Sequence, residues 1–126
     1  MSGISNYLEA KILDQIFTNA TFPAISAVWG SLHTGDPTES GTGSPLASCP
    51  RVQLFFNAAA SATTVNSTAA SWDSSASGTV THIGLWDASA TATANFLWGG
   101  ELSTSKIVNP GDTVTLASGS LAITLD

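Results

Sequence analysis

Thr79-Val80-Thr81-His82-Ile83-Gly84-Leu85-Trp86 is the stretch on which the fold turns. Its β-branched and aromatic side chains suit a pleated strand, and no helix-favouring run competes with it. Asp87 to Ala94 then turns the chain, and Phe96 to Leu102 returns it as the second arm of a hairpin. Asn109-Pro110-Gly111-Asp112 reverses direction again, ahead of one strand from Thr113 to Ala117 and a last one over Leu121-Ala122-Ile123-Thr124-Leu125. Upstream, Ala27 to His33 alternates weakly, and Arg51 to Phe56 sets Val52, Leu54 and Phe56 on one face. Between these two, Thr34 to Pro45 has the Gly and Pro content of a long, flexible surface loop. The Ser/Thr/Ala tract from Ala58 to Ser77 is interrupted by Val65 and Trp72, which prefer burial, so it reads as ordered edge strands with a flexible crossing.

Ahead of the strands lies one segment of a different period. Ile4, Leu8, Ile12 and Ile16 recur every four positions, and Tyr7, Leu13 and Phe17 widen the stripe, which predicts an amphipathic helix over residues 5–19. Ser5 or Asn6 caps its start, Glu9 suits the dipole, and Asn19 and Pro23 fit its stop. So short a helix is marginal alone in water, so the stripe is expected to dock. The predicted class is mainly β: an antiparallel, jelly-roll-like β-sandwich with one N-terminal amphipathic α-helix. It forms a single domain over 1–126, with the sandwich at 26–126 and the long loop at 34–45.

Composition narrows the function. Three basic and nine acidic side chains make 10% of 126 residues, against roughly a quarter in a typical soluble domain. So sparsely charged a surface has few groups for acid–base chemistry and suits being covered by neighbouring subunits. Net charge −6, with Lys11, Arg51 and Lys106 scattered, argues against nucleic acid and anionic membrane surfaces as partners. No apolar run approaches a membrane span, and Met1-Ser2-Gly3-Ile4 lacks the basic head of a secretory signal. The sequons at Asn19 and Asn66 are therefore read as chance. Cys49, the single cysteine, excludes an internal disulfide and reads as a small half-buried hydrophobe.

Chemical motifs are sparse. A zinc site would need His33 and His82 joined by an acid such as Asp36 or Asp87, and nothing in the spacing brings them together. His82 reads as a hydrogen-bonded core or interface histidine, and His33 as a brace for the loop that follows it. No Gly-x-Ser-x-Gly elbow occurs. Glu39 and Glu101 are the one conceivable glycosidase pair, read instead as solvated acids. Gly41-Thr42-Gly43 lacks the remainder of a dinucleotide fingerprint. No catalytic residue, metal or cofactor is expected. Trp29, Trp72, Trp86 and Trp98 would suit a sugar-stacking platform, with Trp86 and Trp98 facing each other across the hairpin; core or subunit contact is the preferred reading. Phe55, Phe56, Trp86 and Trp98 are the candidate interface anchors by residue type.

Four segments carry a resemblance. They are Leu32-His33-Thr34-Gly35-Asp36-Pro37-Thr38-Glu39 with Gly41-Thr42-Gly43, then Gly78 to Ala88, then Phe96-Leu97-Trp98-Gly99-Gly100-Glu101-Leu102, and finally Val108 to Val114 running on to Leu121–Leu125. In this order, behind an amphipathic helix, the chain resembles a family of small virion structural proteins of tailed bacteriophages and cyanophages, labelled tail-fibre-like or capsid cement. Relatives carry an aromatic residue before the arginine matching Arg51, where this chain has Cys49-Pro50. The resemblance implies a structural protein without catalytic residues, made in the host cytoplasm and built into the virion. Its implied partners are further copies of itself, as a homotrimer, and the major capsid protein or other virion structural proteins. A compact chain without repeats favours the outer surface of the capsid, with the tail as the alternative; there, a terminus or the 34–45 loop would grip the shell.

Overall fold

The structure is a computed structural model that describes residues 3–90 and 93–125. β1 (Gly3–Ile4) leads into α1 (Asn6–Phe17), followed by β2 (Val28–His33), β3 (Val52–Leu54), β4 (Thr63–Val65), β5 (Ala70–Asp73), β6 (Gly78–Trp86), β7 (Phe96–Val108), β8 (Thr113–Leu116) and β9 (Ala122–Thr124). Five strands form one antiparallel sheet in the order β1-β7-β6-β2-β3. The second layer consists of two separate ribbons, β4-β9 and β5-β8. This is the expected mainly-β sandwich with one N-terminal helix. The hairpin β6-β7 is its spine, and β7 runs on past Leu102 to Val108.

Register decides which residues meet. β2 and β6 pair Gly30 with Leu85, Leu32 with Ile83 and His33 with His82, so Gly30, Leu32, Ile83 and Leu85 share one face and Ser31, His33, Gly84 and Trp86 the other. The first face is the core, closed by Trp72 from β5, which is 1% exposed. Trp72 packs closely against Gly30: a Cβ built there would stand 2.8 Å from its ring and 2.9 Å from Leu54. Its indole N–H donates to the Gly30 carbonyl at 2.9 Å, so the largest core side chain leaves no buried donor unpaired.

The Ser/Thr/Ala tract is ordered by one polar residue. Asn66, fully buried, donates its amide to the Thr68 and Ala117 carbonyls and accepts from the Leu121 N–H. It thereby ties β4 to the turn between β8 and β9. The Asn66 sequon is thus sealed inside the fold, while Asn19 stands exposed after the helix.

The helix departs from expectation. Tyr7 and Leu8 pack on the core, yet none of its residues is buried. Leu13, Ile16 and Phe17 are 56%, 65% and 78% exposed. At 100° per residue the apolar positions spread around most of the helix: the sheet takes the side holding Tyr7 and Leu8, and Leu13, Ile16 and Phe17 face out.

The start of α1 is built with care. Ser5 is fully buried, its hydroxyl accepting from the Leu8 N–H at 3.2 Å while donating to the Phe96 carbonyl. Ser5 N–H also donates to the Leu97 carbonyl at 2.9 Å, pinning the helix start to β7. Ser5→Ala removes the cap and strands a buried carbonyl. A loss of about 1–3 kcal/mol is expected in urea unfolding, larger than a cap alone supplies.

Candidate functional site

The second face of the large sheet holds most of the polar side chains singled out above, and a loop covers it. His33, at the end of β2, is 1% exposed. Its Nδ1 lies 2.7 Å from the Gly43 carbonyl, which only accepts, so Nδ1 carries the proton. Nε2 is then the acceptor, taking the Ser31 hydroxyl proton at 2.7 Å, and Ser31 Oγ in turn accepts the Trp86 indole N–H at 2.8 Å. Burial pushes the His33 pKa below the ordinary imidazole value, against the Gly43 hydrogen bond, with the charges of His82 and Arg51 adding to the lowering. His33 is therefore a neutral brace holding the 34–45 loop.

That loop is not a flexible surface excursion. Pro37 is fully buried, Thr34 N–H donates to the Ser44 carbonyl at 2.8 Å, and Gly43 N–H to the Pro37 carbonyl at 2.9 Å. Gly41, at φ +73°, presses its backbone onto the aromatic pair Trp86 and Phe96, whose centroids lie 5.0 Å apart at 60°. A Cβ there would stand 2.4 Å from Phe96 and 2.6 Å from Trp86. Gly41→Ala is expected to lower stability by about 2–4 kcal/mol, through both left-handed strain and displacement of the loop. Thermal unfolding of the purified variant reads this directly. Backbone rigidity here has a consequence for Glu39: its carboxylate accepts from the Asn6 N–H at 3.0 Å, placing an acid at the N-terminus of α1. The loop thus links the sheet to the helix.

The remaining candidates are scattered. Trp86 pairs with Phe96 and Leu85 with Trp98, so Trp86 and Trp98 fall on opposite faces of the hairpin and do not face each other. Arg51 covers the Trp86 ring at 3.7 Å and donates to the Ala88 and Ala90 carbonyls. Trp72 is sealed in the core, and Trp29 stands half-buried opposite Trp86 in the β2-β6 pairing. The four indoles form no common platform. Among the four candidate anchors, Phe55 is 52% exposed, Phe56 and Trp98 are half-buried against the core, and Trp86 is buried. The exposed apolar side chains missed from sequence are Leu13, Ile16, Phe17, Ile107 and Leu125. Only the excess width of the helical stripe signalled any of them.

His82 sits half-buried with Nδ1 2.8 Å from the Thr81 hydroxyl, and opposite Glu101. Glu101 is exposed in β7, while Glu39 is engaged at the helix start. Among the described residues no three His, Cys, Asp or Glu side chains gather as a metal site. Burial, with Asp73 adding, raises the Cys49 thiol above its ordinary value, which keeps it protonated and apolar in character. Two of the concavities bear on these residues. A cleft of about 570 Å³ lies beside the loop, between Arg51, Ser40, Thr42 and Ser48. A groove of about 450 Å³ runs between the distal half of β7 and the β8 and β9 ribbons.

The described residues thus form a sandwich with a clamped loop, scattered titratable groups and several exposed apolar side chains. The chain belongs to the family described as podophage GP4 fiber I protein gp80, whose model matches residues 3–124, and is thus a member of a phage virion structural protein family. A search of curated proteins found no match.

Proposed function

We infer that this protein is a non-enzymatic structural component of a tailed-phage particle, placed in its tail-fibre apparatus. The family match over residues 3–124, to a family described by a fibre protein, carries this reading. Compactness and the absence of repeats by themselves favour a capsid-cement role. Shape is the weaker argument, because a short module serves a fibre wherever length comes from stacked copies or from a partner chain. Three features support assembly over catalysis: few charges, a loop locked onto the sheet, and exposed Leu13, Ile16, Phe17 and Phe55. The partners are further copies of the chain, as a homotrimer, and neighbouring virion structural proteins.

Cryo-electron microscopy of the particle tests the placement. Density for the sandwich on tail appendages is the expected result; density between capsomers would return the protein to the cement role. For the non-enzymatic reading, incubation with host surface polysaccharide is expected to release no product. Release that disappears in Glu39→Gln or Glu101→Gln would refute it.

A further inference from the structure

Among the described residues, Arg51 is the one charged side chain lining the cleft of about 570 Å³ beside the 34–45 loop, and no carboxylate lines it. The guanidinium lies 3.7 Å from the centroid of the Trp86 ring, and its Nη1 donates to the Ala88 and Ala90 carbonyls at 3.2 and 3.3 Å. Stacking and two fixed carbonyls hold the group in place. Of its five N–H donors, the three on Nε and Nη2 meet no acceptor among the described residues. Asp87 is near enough for its charge to act on Arg51, yet its two oxygens accept from the Asn95 backbone and side-chain N–H groups. We propose that this cleft binds a hexuronate, a sugar whose ring bears a carboxylate, with the Arg51 fork on that carboxylate.

Charge, polarity and size select that ligand. Coplanar guanidinium donors match a carboxylate in bidentate fashion. Phosphate is a poorer guest, because the lining offers it neither a second cation nor a helix N-terminus. The hydroxyls of Ser40, Thr42, Ser48 and Ser89 stand in the same lining and suit the hydroxyls of a sugar ring, while Pro45 and Pro50 give apolar surface for its C–H face. An acidic side chain of a neighbouring protein would engage the fork and leave those hydroxyls unused. The volume falls within the range of about 300–1,000 Å³ that suits a small-molecule guest. One wall is already formed: Ser40 and Thr42 hydrogen-bond to each other at 2.7 Å on a loop clamped to the sheet, which lowers the cost of ordering on binding.

Trp86 serves here as the seat of Arg51 and not as a stacking face, being 6% exposed beneath it. Binding does not bring cleavage. Glycoside hydrolysis calls for two carboxyl groups flanking the bond, and the lining contains none. The inference goes beyond the placement in the particle and does not rest on it, because the cleft is the same on a fibre or a shell component.

Titration of the full chain with sodium D-glucuronate, followed by nitrogen–proton correlation NMR, is the test. Saturable shifts confined to the Arg51 Nε–H and the amides around the cleft are expected, with a dissociation constant on the order of 1 mM. Glucose lacks the carboxylate and acetate lacks the hydroxyls, so each should bind at least about tenfold more weakly. Ser89 is exposed, so Ser89→Asp should keep the fold, set an acid in the lining with Arg51 and abolish binding. Arg51→Lys keeps the charge without the fork and should weaken binding about tenfold, with circular dichroism checking its fold. Binding of a glucuronate-containing oligosaccharide as well identifies a polysaccharide as the source, and binding of the monosaccharide alone a free sugar. Absence of saturable shifts with glucuronate overturns the proposal, as do shifts that persist unchanged in Ser89→Asp. Glucose or acetate binding as tightly as glucuronate overturns it too, acetate then pointing to an acidic protein side chain as the occupant. None of these results bears on the virion placement, which particle imaging decides independently.

Discussion

Trp72→Ala is expected to lower unfolding free energy by about 3–5 kcal/mol, the largest effect of any single truncation in this chain. The indole fills the layer between β5 and the large sheet, and removing it empties a cavity over Gly30, where no side chain exists to collapse inward. Its N–H also serves the Gly30 carbonyl. Against a total of roughly 5–15 kcal/mol for a domain, the variant should unfold at a urea concentration lower by more than about 1 M. Trp72→Phe keeps most of the volume and loses the donor, so a smaller loss of about 1–3 kcal/mol is expected. Equal midpoints for Trp72→Ala and the parent would show that the ring does not close the core.

The second large effect belongs to His33 and depends on pH. In the folded protein its pKa lies below the ordinary imidazole value because the ring is buried. On unfolding, the imidazole returns to water and titrates near 6.5. Below that pH the unfolded chain takes up a proton that the native state refuses, so stability falls with acidification. The contribution is fully present above about pH 6.5, declines as pH drops from there toward the native value, and then levels off. Urea midpoints between about pH 8 and pH 5 should trace this slope. His33→Gln keeps one donor and one acceptor but cannot titrate, and should flatten the slope. His33→Ala strands the Gly43 carbonyl and the Ser31 hydroxyl and is expected to cost about 2–4 kcal/mol at neutral pH. A midpoint that rises on acidification would contradict the neutral, buried assignment.

These two residues differ in how far the sequence announced them. Trp72 interrupts a Ser/Thr/Ala tract, and a large aromatic there had to find a core. His33 stands before a turn-rich segment, which suggested a brace, but its relay through Ser31 to Trp86 joins residues 55 positions apart. Pro37 and Gly41 look like ordinary loop residues, since turn chemistry alone fits both a free loop and a clamped one. What distinguishes the two is the ring pair Trp86 and Phe96 beneath them, contributed by a distant hairpin.

Local periodicity was enough to establish a mainly-β chain with one leading helix, because apolar spacing and turn residues act within a few positions of one another. It also carried the sparse charge that points toward assembly. Only the tertiary structure decided which side of α1 packs on the sheet, which face each tryptophan occupies, and that the 34–45 loop is clamped. Register shifts at Val80/His82 and at Leu85/Trp86 are one cause, for a one-residue slip in a strand carries a side chain to the opposite face. The other cause is that a helix stripe meets its partner, or fails to, only when strands far along the chain have been brought beside it.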